Sequence, residues 1–169
     1  MNRTRRGLLD GAARAFAEHG LRRSTMQSIA ATAGVAKATL YNHFRTKDEV
    51  ARELLAVELD RLTGLAAGLP VPRAVAALSD ELAGHPVLRR LAATEPEVLA
   101  GLLAPAAEQW AEVRDRLAAA VRLDDDGAEL LARWLVGVVL QPGRSIDRHR
   151  QAGRLAEVLA GQPVRSERV

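Results

Sequence analysis

Apolar residues in this chain recur at helical spacing, and little in it favours a strand. Leu8, Ala12, Ala15 and Phe16 fall three or four positions apart before Gly20; Ile146, Ala152, Leu155, Ala156 and Leu159 repeat the pattern near the other end. Residues so spaced share one face of an α-helix. Hydrophobic residues make up 48% of the 169 but aromatics only 3%, so a core must be built mainly from Leu, Ala and Val. Ala and Leu are strong helix formers, whereas the β-branched and aromatic runs that suit strands are scarce. The expected fold class is all-α, with about nine helices.

Turn and capping residues divide the pattern. A first helix is expected from Asn2 or Arg3 to His19, closed by Gly20 at positive φ. Ser24-Thr25-Met26-Gln27 reads as a capping box, with Ser24 as the cap, opening a short helix that ends near Ala33-Gly34. A helix through Lys37 to Phe44 follows. Thr46-Lys47-Asp48-Glu49 then opens a long helix that carries Val50, Leu54 and Val57 on one face. Pro72, His85-Pro86, Thr94-Glu95-Pro96-Glu97 (a further capping box), Ala104-Pro105 and Gln141-Pro142-Gly143 divide the remainder. Asp124 to Asp126 cap a strongly apolar helix, Ala128 to Leu140, and Ser145 is the expected cap of the last one.

Several function classes are excluded. The absence of cysteine removes disulfides, thiolate metal sites and a cysteine nucleophile. His19, His43, His85 and His149 are too scattered for a helical metal site, so neither metal nor cofactor is expected. No nucleophile lies beside a base and no glycine loop suits a phosphate, so no enzyme is expected. The basic start, Met1 to Arg6, runs into charges at Asp10, Arg14 and Glu18 rather than the apolar stretch of a signal peptide. No uncharged apolar run approaches the ~18 residues of a membrane span. A cytoplasmic protein with no membrane partner is the expectation.

Charge is distributed unevenly. Residues 1–50 hold nine basic against four acidic residues, a surplus of five; the remainder, to reach the chain's net +3, carries −2. A basic head on a mildly acidic body suits a head that meets a polyanion.

The head carries a dense motif: Ala12 to Gly20, Ser24 to Ala30, then Gly34-Val35-Ala36-Lys37-Ala38-Thr39-Leu40-Tyr41-Asn42-His43-Phe44-Arg45-Thr46-Lys47. This stretch closely resembles the DNA-binding domain of the TetR family of bacterial transcriptional regulators. The resemblance implies a three-helix helix-turn-helix domain over residues 1–46. The helix from Lys37 would enter the major groove of double-stranded DNA, which is wide enough to admit one helix. By similarity, Thr25, Tyr41, His43 and Lys47 would hold phosphates, while Lys37, Ala38, Thr39 and Asn42 would read base edges. Lys47 has an independent argument: a cation in a first helical turn opposes the helix dipole, so an external phosphate would explain it. Arg3, Arg5 and Arg6 form either a basic arm for groove or backbone, or a disordered end. Ala36 stands where the family usually has Ser or Thr, a lost cap of about 1 kcal/mol, and Ala38 where glycine is common.

For residues 47–169 the resemblance implies a helical effector-binding and dimerisation domain. Leu131, Trp134, Leu135, Val138, Val139, Leu155 and Leu159 are the expected homodimer contacts, since the Ala128 to Leu140 helix is apolar nearly all round. Two heads would suit a palindromic operator. His85, Arg89, Gln109, Trp110 and Arg114 are the candidate contacts to a small apolar effector whose binding would release a repressor from DNA. The alternative is a helical ligand-binding or scaffold protein whose head no longer reads DNA.

Overall fold

The computed structural model describes residues 3–161, and there the fold is all-helical. Ten helices follow one another: α1 (Arg3–His19), α2 (Met26–Ala33), α3 (Lys37–Tyr41), α4 (Lys47–Ala66), α5 (Val71–Gly84), α6 (Pro86–Thr94), α7 (Pro96–Leu103), α8 (Ala107–Val121), α9 (Asp125–Leu140) and α10 (Ser145–Ala160). They group into two compact units. The first takes the chain up to Leu59 together with His85–Leu99; the second takes Asp60–Gly84 and the chain from Ala100 onward.

In the first unit α1 packs against both α2 and α6. Leu8, Leu9, Ala12, Ala15 and Phe16 form its buried face, and Ile29, Leu40, Phe44, Val50, Leu91 and Leu99 are buried in the same unit. Burying a side chain such as Phe16 or Ile29 stabilises by roughly 1.5–3 kcal/mol relative to exposure. Gly11 sets how closely α1 approaches α2. A Cβ there would stand 2.4 Å from the Cβ of Ala33 and 2.5 Å from its Cα.

In the second unit α5 packs on α9 and α10, and α8 on α9. Its core is Leu, Val and Ala, as composition requires: Leu62, Val75, Leu78, Leu117, Leu131, Leu135 and Leu159 are all buried. Arg148 and His149 of α10 reach Asp80 of α5 at 2.9 and 2.8 Å. Burial works to raise the Asp80 pKa, but hydrogen bonds from His149 and Arg148 and their charges outweigh it, so the carboxyl lies below its ordinary value.

Helix starts depart from the sequence expectation in several places. The cap of α2 is Thr25, not Ser24: Thr25 Oγ1 accepts from the Ser28 N–H, and Ser28 Oγ from the Thr25 N–H. Ser24 is buried, and its hydroxyl donates to the Gly20 carbonyl at 2.6 Å, an acceptor left over at the end of α1. Thr94 caps nothing either; it ends α6 and donates to the Arg90 carbonyl. Arg144, not Ser145, is the N-cap residue of α10, and it contributes no side-chain bond. Asp124 does cap α9, accepting from the Gly127 N–H at 2.8 Å, so that helix starts three residues before Ala128. Ile146 is 66% exposed and stands outside the α10 core stripe.

Candidate nucleic-acid interface

The end of α2 and the start of α3 are joined by a tight turn. Gly34 takes φ +70, and the Val35 N–H reaches back to the Ala30 carbonyl at 3.0 Å. That positive φ is why glycine serves here. Helix α3 is shorter than expected, ending at Tyr41 rather than continuing to Phe44. Leu40 and Phe44 are fully buried and pin it to the first unit, leaving Lys37, Ala38, Tyr41 and Asn42 exposed and Thr39 and His43 half-buried.

Six of the eight expected DNA contacts therefore lie together on α3 or immediately after it. The Lys37 ammonium stands 5.5 Å from the Tyr41 ring centroid, a cation–π contact of about 0.5–1 kcal/mol at an exposed site. Tyr41 itself is 44% exposed. The His43 ring packs obliquely on Phe44, with centroids 6.5 Å apart. Thr25 sits at the N-terminus of α2, where its oxygen already serves the cap. Ala36 precedes α3 with no side-chain bond, as its methyl dictates.

Lys47 has a partner that sequence did not reveal. Its Nζ donates to the Arg22 carbonyl at 3.2 Å, tying the start of α4 to the turn between α1 and α2. An ammonium has three protons, so two remain for a phosphate. Arg5 is not a free arm: it lies in α1, pairs with Glu53 at 3.0 Å, and stacks over Phe44 at 4.6 Å. Two exposed cations outside the expected contact set lie close by, Arg23 before α2 and Arg45 before α4. Their only signal was their place in turns that flank the expected contacts.

A sequence profile described as "Bacterial regulatory proteins, tetR family" matches residues 8–54. The HTH-type transcriptional repressor KstR2 of Mycobacterium tuberculosis is 50% identical over 60 residues, covering 35% of this chain and 30% of that protein. The chain thus matches under a third of the length of that relative. The HTH-type transcriptional repressor Rv1474c of Mycobacterium tuberculosis is 30% identical over 145 residues, covering 80% of this chain and 78% of the relative. The chain belongs to the TetR family. The crystal structure of the TetR family repressor AlkX from Dietzia superimposes with a TM-score of 0.68 at 20% identity, over 91% of this chain and 94% of that one, and shares the fold.

Outside the head, this TetR-family chain distributes its expected ligand contacts between its two units. His85 and Arg89 belong to the first. His85 is the N-cap residue of α6, its Nδ1 accepting from the Leu88 N–H, with Glu58 3.7 Å from its other nitrogen. Gln109, Trp110 and Arg114 belong to the second unit. Trp110 Nε1 donates to Glu129 at 2.7 Å, and Arg114 pairs with its neighbour Asp115. That indole bond, opposed by desolvation and aided by Arg133, holds the Glu129 carboxyl below its usual pKa. An open cleft of about 400 Å³ lies between α9 and α10, with Trp134, Gly137, Val138 and Arg148 in its wall and none of the five candidates.

The expected pairing residues are placed unevenly. Leu131, Leu135, Val138, Val139 and Leu159 are buried within the chain itself, and Trp134 and Leu155 are half-buried against that core. The large apolar side chains that α9 and α10 expose are Leu130, Leu140, Ile146 and Val158. Among the described residues no helix is long and apolar enough to cross a membrane, and no cluster of His and carboxylates could hold a metal ion.

Proposed function

We propose that this chain is a sequence-specific repressor that binds a palindromic operator as a homodimer and is released by a small apolar effector. The observation that carries the DNA reading is the division of burial along α3 and the residues just after it: Leu40 and Phe44 are buried, while Lys37, Ala38, Tyr41 and Asn42 are exposed. Such a helix offers donors and a methyl group to base edges. Lys47, Arg23 and Arg45 add cations for the backbone, the sequence-independent part of the affinity.

Residues 1–46 would form the reading head and 47–169 the effector-binding and pairing part. Because the buried members of the expected pairing set already serve the chain's own core, contact with a second copy would fall to Trp134, Leu155, Leu130, Leu140, Ile146 and Val158. The effector half of the proposal rests on the Leu, Val and Ala interior of the second unit. Its assay is release of bound DNA by apolar small molecules.

Selection of bound DNA from a random pool tests the central claim, and an enriched inverted repeat is the expected result. Tyr41→Ala and Lys47→Ala should then weaken binding on every sequence, with the Lys47 variant lowering the salt slope by about 1. Asn42→Ala should change sequence preference. Unchanged binding in all three variants would remove the site assignment. A helical scaffold with a silent head is favoured only by the uncapped start of α3, and it predicts no enrichment from a folded dimer.

A further inference from the structure

Glu95 joins α6 to α7, and its carboxylate is turned inward, only 5% exposed. Its two oxygens lie 3.2 and 3.0 Å from the backbone nitrogen of Arg22, in the turn between α1 and α2. Gly20 makes room for it: at φ +79, a Cβ on that residue would stand 2.1 Å from Glu95 Oε1. The Arg22 guanidinium pairs with Glu97 instead. The same residue's carbonyl receives Lys47 Nζ. The Arg22 backbone is therefore held at its N–H by one charged side chain and at its C=O by another, from positions far along the chain.

A buried carboxylate is costly unless hydrogen-bonded, and apolar replacement of buried charge is often neutral or stabilising. Stability alone therefore gives little reason for a carboxylate at this place. What the arrangement does fix is geometry. Arg22 lies three residues before Thr25, the N-cap of α2, and α2 carries the turn that sets α3. We infer that Glu95 is a positioning residue for DNA reading: by holding the Arg22 N–H it sets where α2 begins, and hence how α3 is presented. This rests on the DNA-binding reading above.

The test compares wild type, Glu95→Ala and Glu95→Gln for thermal melting, for affinity to the selected operator, and for affinity to random duplex at the same salt. Glu95→Ala should lose about tenfold or more on the operator, the loss of one hydrogen bond to a charged group, and within about twofold on random duplex. Glu95→Gln keeps an oxygen for the Arg22 N–H and should recover most of the difference. Hydrogen exchange of the Arg22 to Met26 amides in free protein should quicken in Glu95→Ala. Full operator affinity in a folded Glu95→Ala protein would overturn the inference, as would equal losses on both DNAs alongside a lowered melting temperature. If Glu95→Ala does not fold, operator binding by Glu95→Gln against wild type decides, a loss limited to a few-fold being the expected result and one as large as tenfold the contrary. Failure of wild type to select any sequence would be seen without a variant, and would remove the DNA reading and this inference together.

Discussion

Adding one methyl group at Gly11 should damage the head, although glycine is a poor helix former and alanine the best. An ideal Cβ there meets the Cβ, Cα and N of Ala33 at 2.4, 2.5 and 2.8 Å. Carbon atoms rest at about 3.5–4.0 Å, so α1 and α2 must separate by roughly 1 Å locally. Two of the three contacts are to backbone, which cannot swing aside as a flexible side chain would. Overpacking of this kind costs about 1–3 kcal/mol, and helix propensity returns up to about 1. The net for Gly11→Ala is a loss of up to about 2 kcal/mol, or up to roughly 8 °C in melting temperature for a chain of this size. Gly7→Ala supplies the control on the same helix, because nothing lies within 4 Å of its Cβ; it should gain up to about 1 kcal/mol. The double variant Gly11→Ala/Ala33→Gly relieves only the 2.4 Å contact and should not restore stability. Thermal unfolding followed by circular dichroism separates the cases. A Gly11→Ala protein as stable as Gly7→Ala would refute the close approach of α1 and α2.

Three further outcomes can be checked with the same melts. Ala36→Ser should return the missing cap to α3 and stabilise by up to about 1 kcal/mol, with Ala36→Val as a control that cannot. Thr25→Ala removes both the cap and half of its reciprocal pair with Ser28, and should cost about 1 kcal/mol. For Asp80 the pKa is lowered in the folded chain, so its contribution is present above the ordinary aspartate pKa and is lost as pH falls through the lowered value. The pair is nearly half exposed, so Asp80→Asn should cost below about 1 kcal/mol near neutral pH, and the gap from wild type should close in strong acid.

Helices such as α1 and α10 were legible from a periodic apolar face and the others from the Pro, Gly and capping residues between them, and the family because the run Gly34 to Lys47 is read directly from residue types. What escaped were choices between adjacent residues of equal chemistry. Ser24 and Thr25 both cap helices well, and only the fold decides that Ser24 is needed to satisfy the Gly20 carbonyl. The end of α8 was silent for a different reason: its closing residue at positive φ is Arg122, with no glycine to mark it. Glu95 is an interior member of a Thr-Glu-Pro-Glu string that reads as a capping box. Nothing local in that string says that its partner lies 73 residues earlier. A strongly apolar helix such as α9 likewise looks the same in sequence whether its own chain or a second copy covers it.

The division of the chain also bears on how such proteins are recombined. The polypeptide passes between its two compact units at Leu59/Asp60, at Gly84/His85 and at Leu99/Ala100, so neither unit is one continuous stretch. A chimera made by grafting residues 1–46 onto a foreign body would transfer α3 while leaving Glu53, Glu95 and Glu97 behind, and with them the partners of Arg5 and Arg22. The first unit is discontinuous, the chain to Leu59 plus His85–Leu99, and a graft that keeps these pairs has to move both pieces or rebuild the second in its new host.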